Sequence, residues 1–275
     1  MSEELTRGGK LPVEPVGEDR LSGRAHTGLR IAIMAAGKGT RMNDPEKPKV
    51  LFTIDGRPMI HYVIDRALAL RPETVIVIIG HRANDVRAAV MEEYANEPIR
   101  FALQDPQHGT AHAIMQAIPE LVGFKGELLV LSGDVPLLSQ QTLDRLIDHH
   151  RAARSSATVL TVDAPDPTGY GRIVRDDGGA ITSIVEHKDA DDAARSIREI
   201  NSGVYVFFVP DLLHALPSVT NRNAQGEYYL PDVIALLLAD GKSVTGFSID
   251  EFEQIQGVNT REQLDALQGR VRIDA

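Results

Sequence analysis

The residues with the plainest chemical purpose lie in the run LRIAIMAAGKGTRMNDPEKPK, from Leu29 to Lys49. An apolar stretch through Met34, Ala35 and Ala36 ends at Gly37-Lys38-Gly39, and two cations, Arg41 and Lys49, follow. Glycines at a strand end leave backbone N–H groups free, and such a loop binds phosphate oxygens while nearby cations neutralise them. The expected ligand is a nucleoside triphosphate. Taken alone, these glycines fit a ligand-free tight turn equally well. Other phosphate loops fit worse. A dinucleotide fingerprint needs a small residue where Met42 stands, and an acidic residue ending the second strand, where Ile79-Gly80-His81 stands. The only Gly-Lys-Ser, at Gly241–Ser243, has Leu236 where a kinase-type phosphate loop needs its first glycine.

Three further groups carry chemistry. Gln104 opens the loop that leads to Gly109-Thr110 and His112; its amide both donates and accepts, as reading a pyrimidine edge requires, and Gly109 lets backbone approach a ring. Asp134 follows the buried run Leu128–Gly133, so a carboxylate stands at a strand's C-terminal end, a position for a magnesium ligand. Asn259 is the expected second ligand, because Thr260 can cap the final helix and leave Asn259 free. A turn before Pro136 and a helix cap are the plain alternatives for these two. In the middle of the chain, Glu186 and Asn201 suit sugar hydroxyls and an amide. Lys188 reads as a solvated or phosphate-facing cation, not a Schiff-base amine. The nine histidines read as surface or core residues, since His149 and His150 face apart and His81, His108 and His112 lack carboxylates at ligand spacing.

These residues need elements to hold them. Leu29–Ala36, Thr74–Ile79, Ile99–Leu103 and Glu127–Leu131 read as buried strands, alternating with helices over Pro58–Leu70, Asn84–Tyr94, Thr110–Ile118 and Ser139–Ala152. That rhythm predicts an α/β fold of Rossmann-like type, a mostly parallel sheet with helices on both faces and ligands at the strand C-termini. From 157 to 208 four strands, Ala157–Val162, Gly171–Val174, Ala180–Val185 and Ile200–Phe208, predict a small antiparallel extension forming much of the sugar-binding lobe. Tyr229–Ala239 and Arg261–Gln268 read as helices, Ser243–Phe247 and Phe252–Gln256 as strands. Residues 1–28 lack apolar periodicity and read as a disordered tail, ahead of one domain over 29–275.

Composition narrows the class. A formal charge of −10 disfavours nucleic acid and anionic membranes as partners, so any phosphate site is a local basic patch. Without cysteine there is no thiolate catalysis or Cys-ligated zinc, and no segment has the apolar length of a membrane span or a secretion signal. A cytoplasmic location is expected.

Together these stretches resemble the uridylyltransferase domain of the bacterial bifunctional N-acetylglucosamine-1-phosphate uridylyltransferase/glucosamine-1-phosphate acetyltransferase family, over roughly Ile31 to Gln268. The resemblance makes Ala35–Met42 the nucleotide loop, entered through Met34, and Lys49 in Pro48-Lys49-Val50 the phosphate lysine. Gln104 and Gly109-Thr110 match the uracil-reading positions. Asp134 in Gly133-Asp134-Val135-Pro136 and Asn259 match the metal positions. Gly171, Glu186 and Asn201 match positions that contact the N-acetylhexosamine, the sugar-binding set being completed by Ser132, Gly133 and Asn259, and Asn223–Asp232 matches a further family stretch. Ser132 stands beside Gly133 where the family usually has an aromatic, and His108 and His187 replace the commoner Leu and Gln. What the resemblance implies is transfer of UMP from UTP to N-acetylglucosamine 1-phosphate with Mg2+, Arg41, Lys49 and Asp134 being catalytic. A related sugar-phosphate nucleotidyltransferase of other sugar or base specificity, or a non-catalytic nucleotide-sugar-binding protein, are the rivals. No hexapeptide-repeat β-helix appears before Ala275, so acetyltransferase activity is not expected, and the oligomeric state stays open.

Overall fold

In chain order, β1 (Leu29–Ala35) is followed by a hairpin of β2 (Thr53–Ile54) and β3 (Arg57–Pro58), then α1 (Met59–Ala69), β4 (Thr74–Ile79), α2 (Ala83–Tyr94), β5 (Ile99–Leu103), α3 (Thr110–Gln116), β6 (Glu127–Ser132) and α4 (Gln140–Ala153). The second half runs β7 (Ala157–Asp163), β8 (Arg172–Arg175), β9 (Ile181–Val185), α5 (Asp192–Ser196), β10 (Glu199–Phe208), α6 (Val209–Ala215), α7 (Asp232–Ala239), β11 (Val244–Ile249) and α8 (Arg261–Asp265). This computed structural model describes residues 26–42, 44 and 46–269.

The main sheet has the order β11-β7-β10-β6-β1-β4-β5. β1 pairs in parallel with β4 and β6, β4 with β5, and β11 with β7. β10 runs antiparallel between β6 and β7, and β8 and β9 branch from it as an antiparallel pair. Both faces of β1 are covered, which is why its sequence is apolar but for Arg30 and does not alternate. Leu29, Ile31, Ile33 and Ala35 face a layer that includes α1, α2 and α4, while Ala32 and Ala36 face α3, α6 and α7. Helices on both sides make the crossovers possible. In register, Ala35 lies opposite Ile79, and Met34 opposite Ser132, so the segments that follow β1, β4 and β6 emerge at one edge.

A third, smaller apolar cluster joins Met42, Phe52, Ile54, Met59, Val258 and Leu264. It clamps the loop after β1 and the hairpin to α8. Burying these six residues brings three distant parts of the chain together, and each part carries one residue singled out above: Arg41, Lys49 or Asn259.

Several local expectations differ from the structure. Phe252–Gln256 is not a strand: Phe252–Ile255 forms a 3-10 turn. Its apolar residues stand three apart, the 3-10 period, and Phe252 packs edge-on to Tyr170 while Gln254 Oε1 accepts from Ser139 N at 3.1 Å and Thr142 Oγ1 at 2.7 Å. The helix expected from Tyr229 begins at Asp232, because Pro231 keeps its predecessor out of helical geometry. α3 stops at Gln116, with a 3-10 turn around Pro119 following it. α5 and α6, five and seven residues long, were too short to show periodicity. Of the expected tail, residues 1–25 lie outside the described residues, whereas His26 is buried and its Nε2 donates to Asp144 Oδ1 at 2.8 Å. Among the described residues no helix is long and apolar enough to cross a membrane.

Candidate active site

The loop after β1 is shaped by one glycine more than the other. At Gly39 φ is +62°, and a Cβ there would lie 2.6 Å from Lys49 Cβ, so only glycine lets this loop rest on the lysine stem. Lys49 begins a 3-10 turn, and its Nζ donates to Asp134 Oδ2 and, at 3.0 Å, to Asn259 Oδ1. Arg41 Nη2 donates to the same Asn259 oxygen at 3.0 Å. Arg41 and Lys49 thus share one acceptor, which stands 218 residues beyond Arg41 in sequence. Val258 N donates to Asp134 O at 2.9 Å, which pins the segment before α8 against the end of β6.

Asn259 is free to do this because Thr260 is the cap. Thr260 Oγ1 accepts from Gln263 N at 3.3 Å, and Gln263 Oε1 accepts from the N–H groups of Asn259 and Thr260 at 2.7 and 3.1 Å. Such a capping box contributes about 1 kcal/mol. Thr260→Ala is therefore expected to lose about 1 kcal/mol in a denaturant melt. Amide exchange should quicken at Asn259–Gln263, the segment that the cap holds.

Two cavities meet beside these groups. The larger, of about 310 Å³, is lined by residues from the loop after β1, by Lys49 and Asp134, and by Gln104, Gly109 and Thr110. The second, of about 200 Å³, is lined by Gly171, Glu186 and Asn201 among others. Met34, Thr110 and Ser132 line both, so the two spaces adjoin. Of the residues expected at the nucleotide, Met34, Ala35, Ala36, Gly37, Lys49, Gln104, Gly109 and Thr110 line the first cavity. Gly39, Arg41, Gly133 and Asn259 line neither. Gly39 and Gly133 instead allow close packing: a Cβ on Gly133 would lie 3.2 Å from Met34 O.

In the first cavity, Gln104 is 4% exposed and its Nε2 donates to Gly109 O at 2.9 Å. Gly109 has φ of +104°, and a Cβ there would lie 2.6 Å from Tyr228 O. The loop therefore packs directly on the segment before α7, where Tyr228 N donates to His108 O at 2.8 Å and Ala111 N to Tyr228 O at 2.9 Å. Gln107 and Glu227 also line this space. Both lie inside stretches quoted from the sequence, yet neither carried a signal of its own.

In the second cavity, Gly171 makes room for a carboxylate: a Cβ would lie 3.1 Å from Glu186 Oε1. Asn201 Nδ2 donates to Tyr205 Oη at 2.7 Å, and Asn201 Oδ1 accepts from Gly203 N at 3.0 Å, which orients the amide. Tyr170 and Tyr205 line the cavity too. Tyr205, in the middle of a buried strand, reads as core from sequence. Lys188 turns away from phosphate chemistry, its Nζ donating to Gln225 Oε1 at 2.6 Å. Two adjacent histidines serve packing: His149 lies against Phe247, and His150, hydrogen-bonded to Thr158 Oγ1 at 2.9 Å, is held by burial at a pKa of about 4.

Burial raises the Glu186 pKa, Asp189 and Asp232 add to it, and Arg172 opposes it. The folded protein thus holds this proton to a higher pH than the unfolded chain, whose glutamates titrate at about 4.3. Stability falls as pH rises from there through the raised value, and the deficit persists above it. Glu186→Gln is accordingly expected to melt higher than the parent by roughly 2–4 °C at pH 8, with the gain gone near pH 4, in a series of thermal melts.

Asp134 and Asn259 suit a divalent cation on two observations. Their oxygens already converge on one cationic centre, the Lys49 ammonium. Gly257 leaves open a cradle that a Cβ would fill, 3.4 Å from Asp134 Oδ2 and 3.5 Å from Asn259 Nδ2. Among the described residues no group of three or more His, Asp or Glu side chains could hold a metal. Magnesium commonly takes one or two protein oxygens and fills its remaining positions with water and substrate phosphate.

The nucleotidyl transferase family pattern matches residues 31–252, and the chain belongs to that family. Within it, the chain is 46% identical over 229 residues to the bifunctional protein GlmU of Geobacillus thermodenitrificans, covering 83% of this chain and 49% of that protein. It is 45% identical over 236 residues to the Brevibacillus brevis protein of the same name (86% and 50%), and 46% over 245 residues to that of an Acidovorax species (88% and 51%). The chain therefore spans about half the length of the curated relatives it matches. A Bacillus anthracis crystal structure described as a glucose-1-phosphate thymidylyltransferase in complex with a sucrose superposes with a TM-score of 0.71 at 17% identity, covering 90% of this chain and 98% of that one. That likeness concerns the fold.

Proposed function

We propose that the protein transfers UMP from UTP to N-acetylglucosamine 1-phosphate, forming UDP-N-acetylglucosamine and pyrophosphate in the cytoplasm. The observation that carries this reading is the junction of the two cavities at Met34, Thr110 and Ser132, beside Lys49 and Asp134. A sugar phosphate oxygen attacks the α-phosphorus of UTP in line, and the bond to the β-phosphate oxygen breaks. With a second pKa of about 6, by analogy to phosphorylated side chains, the sugar phosphate is mostly dianionic at pH 7, so no general base is required. The chain's task is to position the two substrates and spread their charge.

Backbone N–H groups around Gly37 hold triphosphate oxygens, and Lys49 and Arg41 neutralise them. Gln104 and Gly109 hold the base. Glu186 and Asn201 receive the sugar, the Asn201 amide being fixed by Tyr205 and Gly203. Mg2+, held by Asp134 and Asn259, would supply charge neutralisation between the two phosphate groups. The test is pyrophosphate release with each of four NTPs against a panel of sugar 1-phosphates. UTP with N-acetylglucosamine 1-phosphate should exceed every other pair; a different preferred pair would refute the assignment. Tight binding of UDP-N-acetylglucosamine without pyrophosphate release would mark a binding protein instead.

A further inference from the structure

Gln104 is held in one orientation by two acceptors. The atom 2.9 Å from Gly109 O must be its amide nitrogen, because an oxygen there would face an oxygen. The same nitrogen lies 3.3 Å from His112 Nδ1, so that ring nitrogen must bring a lone pair. His112 Nε2 faces a second amide nitrogen, from Gln116, at 3.2 Å. With the lone pair on Nδ1 the neutral ring carries its hydrogen on Nε2, beside a Gln116 amide that donates to His112 O at 3.1 Å; a doubly protonated ring would add an opposition of N–H to N–H at Gln104. The neutral ring is therefore the one that this geometry accepts, and burial, with His108 adding to it, lowers the pKa of His112.

The titratable groups around the ring come from two elements. His108, from the loop that leads into α3, has its ring 5.3 Å away, and Tyr228, from the segment before α7, 6.3 Å away. Glu227, beside Tyr228, lines the same cavity. With Nε2 of Gln104 committed to Gly109 and His112, the amide atom left for a ligand is Oε1, an acceptor. An acceptor that faces the ring nitrogen of a base edge pairs with a ring N–H, which uracil, thymine and guanine have there, whereas cytosine and adenine present a lone pair at that position and must shift to offer their exocyclic amine instead.

We propose that His112 is a positioning residue for base selection: through Nδ1 it locks the Gln104 amide with Oε1 toward the nucleotide cavity, so that the site selects a base with a ring N–H. This rests on the uridylyl reading above. On protonation, His112 Nδ1 becomes a donor, the Gln104 amide loses one of its two anchors, and its flipped form, with Nε2 toward the base, gains weight.

The experiment measures binding of UTP, dTTP, GTP, CTP and ATP to the full chain by calorimetry, independently of turnover. His112→Ala should weaken UTP about tenfold and shrink the UTP-to-CTP preference by about the same factor, the worth of one oriented hydrogen bond. His112→Asn, whose Oδ1 accepts as Nδ1 does, should restore the preference to within about threefold. The parent's preference should decline as pH falls through the lowered histidine range, while that of His112→Asn stays flat. A thermal melt of each variant separates loss of fold from loss of orientation. An unaltered preference in His112→Ala, or an Asn variant as poor as the Ala variant, would overturn the proposal. So would a parent that binds none of UTP, dTTP and GTP better than CTP and ATP. A normal His112 effect on binding with no pyrophosphate released from any sugar 1-phosphate would instead sink the catalytic reading and leave this one standing.

Discussion

Asp134→Ala should lower the rate of pyrophosphate release by roughly a thousandfold at saturating substrate, the scale of removing one preorganised charge-stabilising group. Asp134 Oδ2 and Asn259 Oδ1 hold a single cationic centre between them, and the carboxylate is the only one of the two that carries charge. Without it, Lys49 keeps only the neutral Asn259 amide as a partner at that point. Asp134→Asn preserves shape and one oxygen but removes the charge, and should be nearly as inactive if charge is the operative property. UTP affinity, measured by calorimetry, should move far less than the rate, because the residues proposed to hold the base and most of the phosphates line other parts of the first cavity. A rate near that of the parent in either variant would show that the carboxylate is not part of the chemistry.

Gly109→Ala is the second large effect, and its cause lies in the backbone. At φ of +104° an L side chain is strained by about 1–3 kcal/mol, and its Cβ would sit 2.6 Å from Tyr228 O. That neighbour is backbone, held by the hydrogen bond from Ala111 N, so it cannot give way by changing rotamer. The combined loss should be roughly 3–4 kcal/mol, a fall of about 10 °C in Tm for a domain of this size. Because Gln104 Nε2 is anchored on Gly109 O, the KM for UTP should rise as well. Thermal melting and steady-state kinetics on the same preparation check both parts. A fall in Tm of under about 2 °C would mean that the loop relaxes at little cost.

The contrast between these residues shows what could be read early. Gly39 and Gly109 were legible as glycines that a loop needs, but the Cβ clash at each depends on a partner, Lys49 or Tyr228, that only folding supplies. Gln104 was legible as a candidate for reading a base, and the structure places it in the lining of the first cavity. Its orientation was not, because that depends on His112 and Gly109 around it. The histidine had seemed a packing residue for want of carboxylates at ligand spacing, a test that finds metal sites and misses hydrogen-bond anchors. Tyr205 and Tyr170 carried no signal, since a tyrosine in a buried strand and one in a glycine turn look alike whether or not a cavity lies beside them.

What the sequence determined by itself is the set of elements and the chemistry each could carry. The apolar runs of β1, β4 and β6 specify strands covered on both faces, and their alternation with amphipathic helices makes the sheet mostly parallel, so loops rich in glycine and polar groups collect at one edge. The capping box at Thr260 is likewise local, and left Asn259 available. Tertiary structure alone decided which of these groups meet. Asp134, Lys49, Arg41 and Asn259 converge because a small apolar cluster of Met42, Phe52, Val258 and Leu264 closes the C-terminal segment over the first loop. Apolar burial has no direction and depends on the whole chain's packing, so no local spacing encodes that closure.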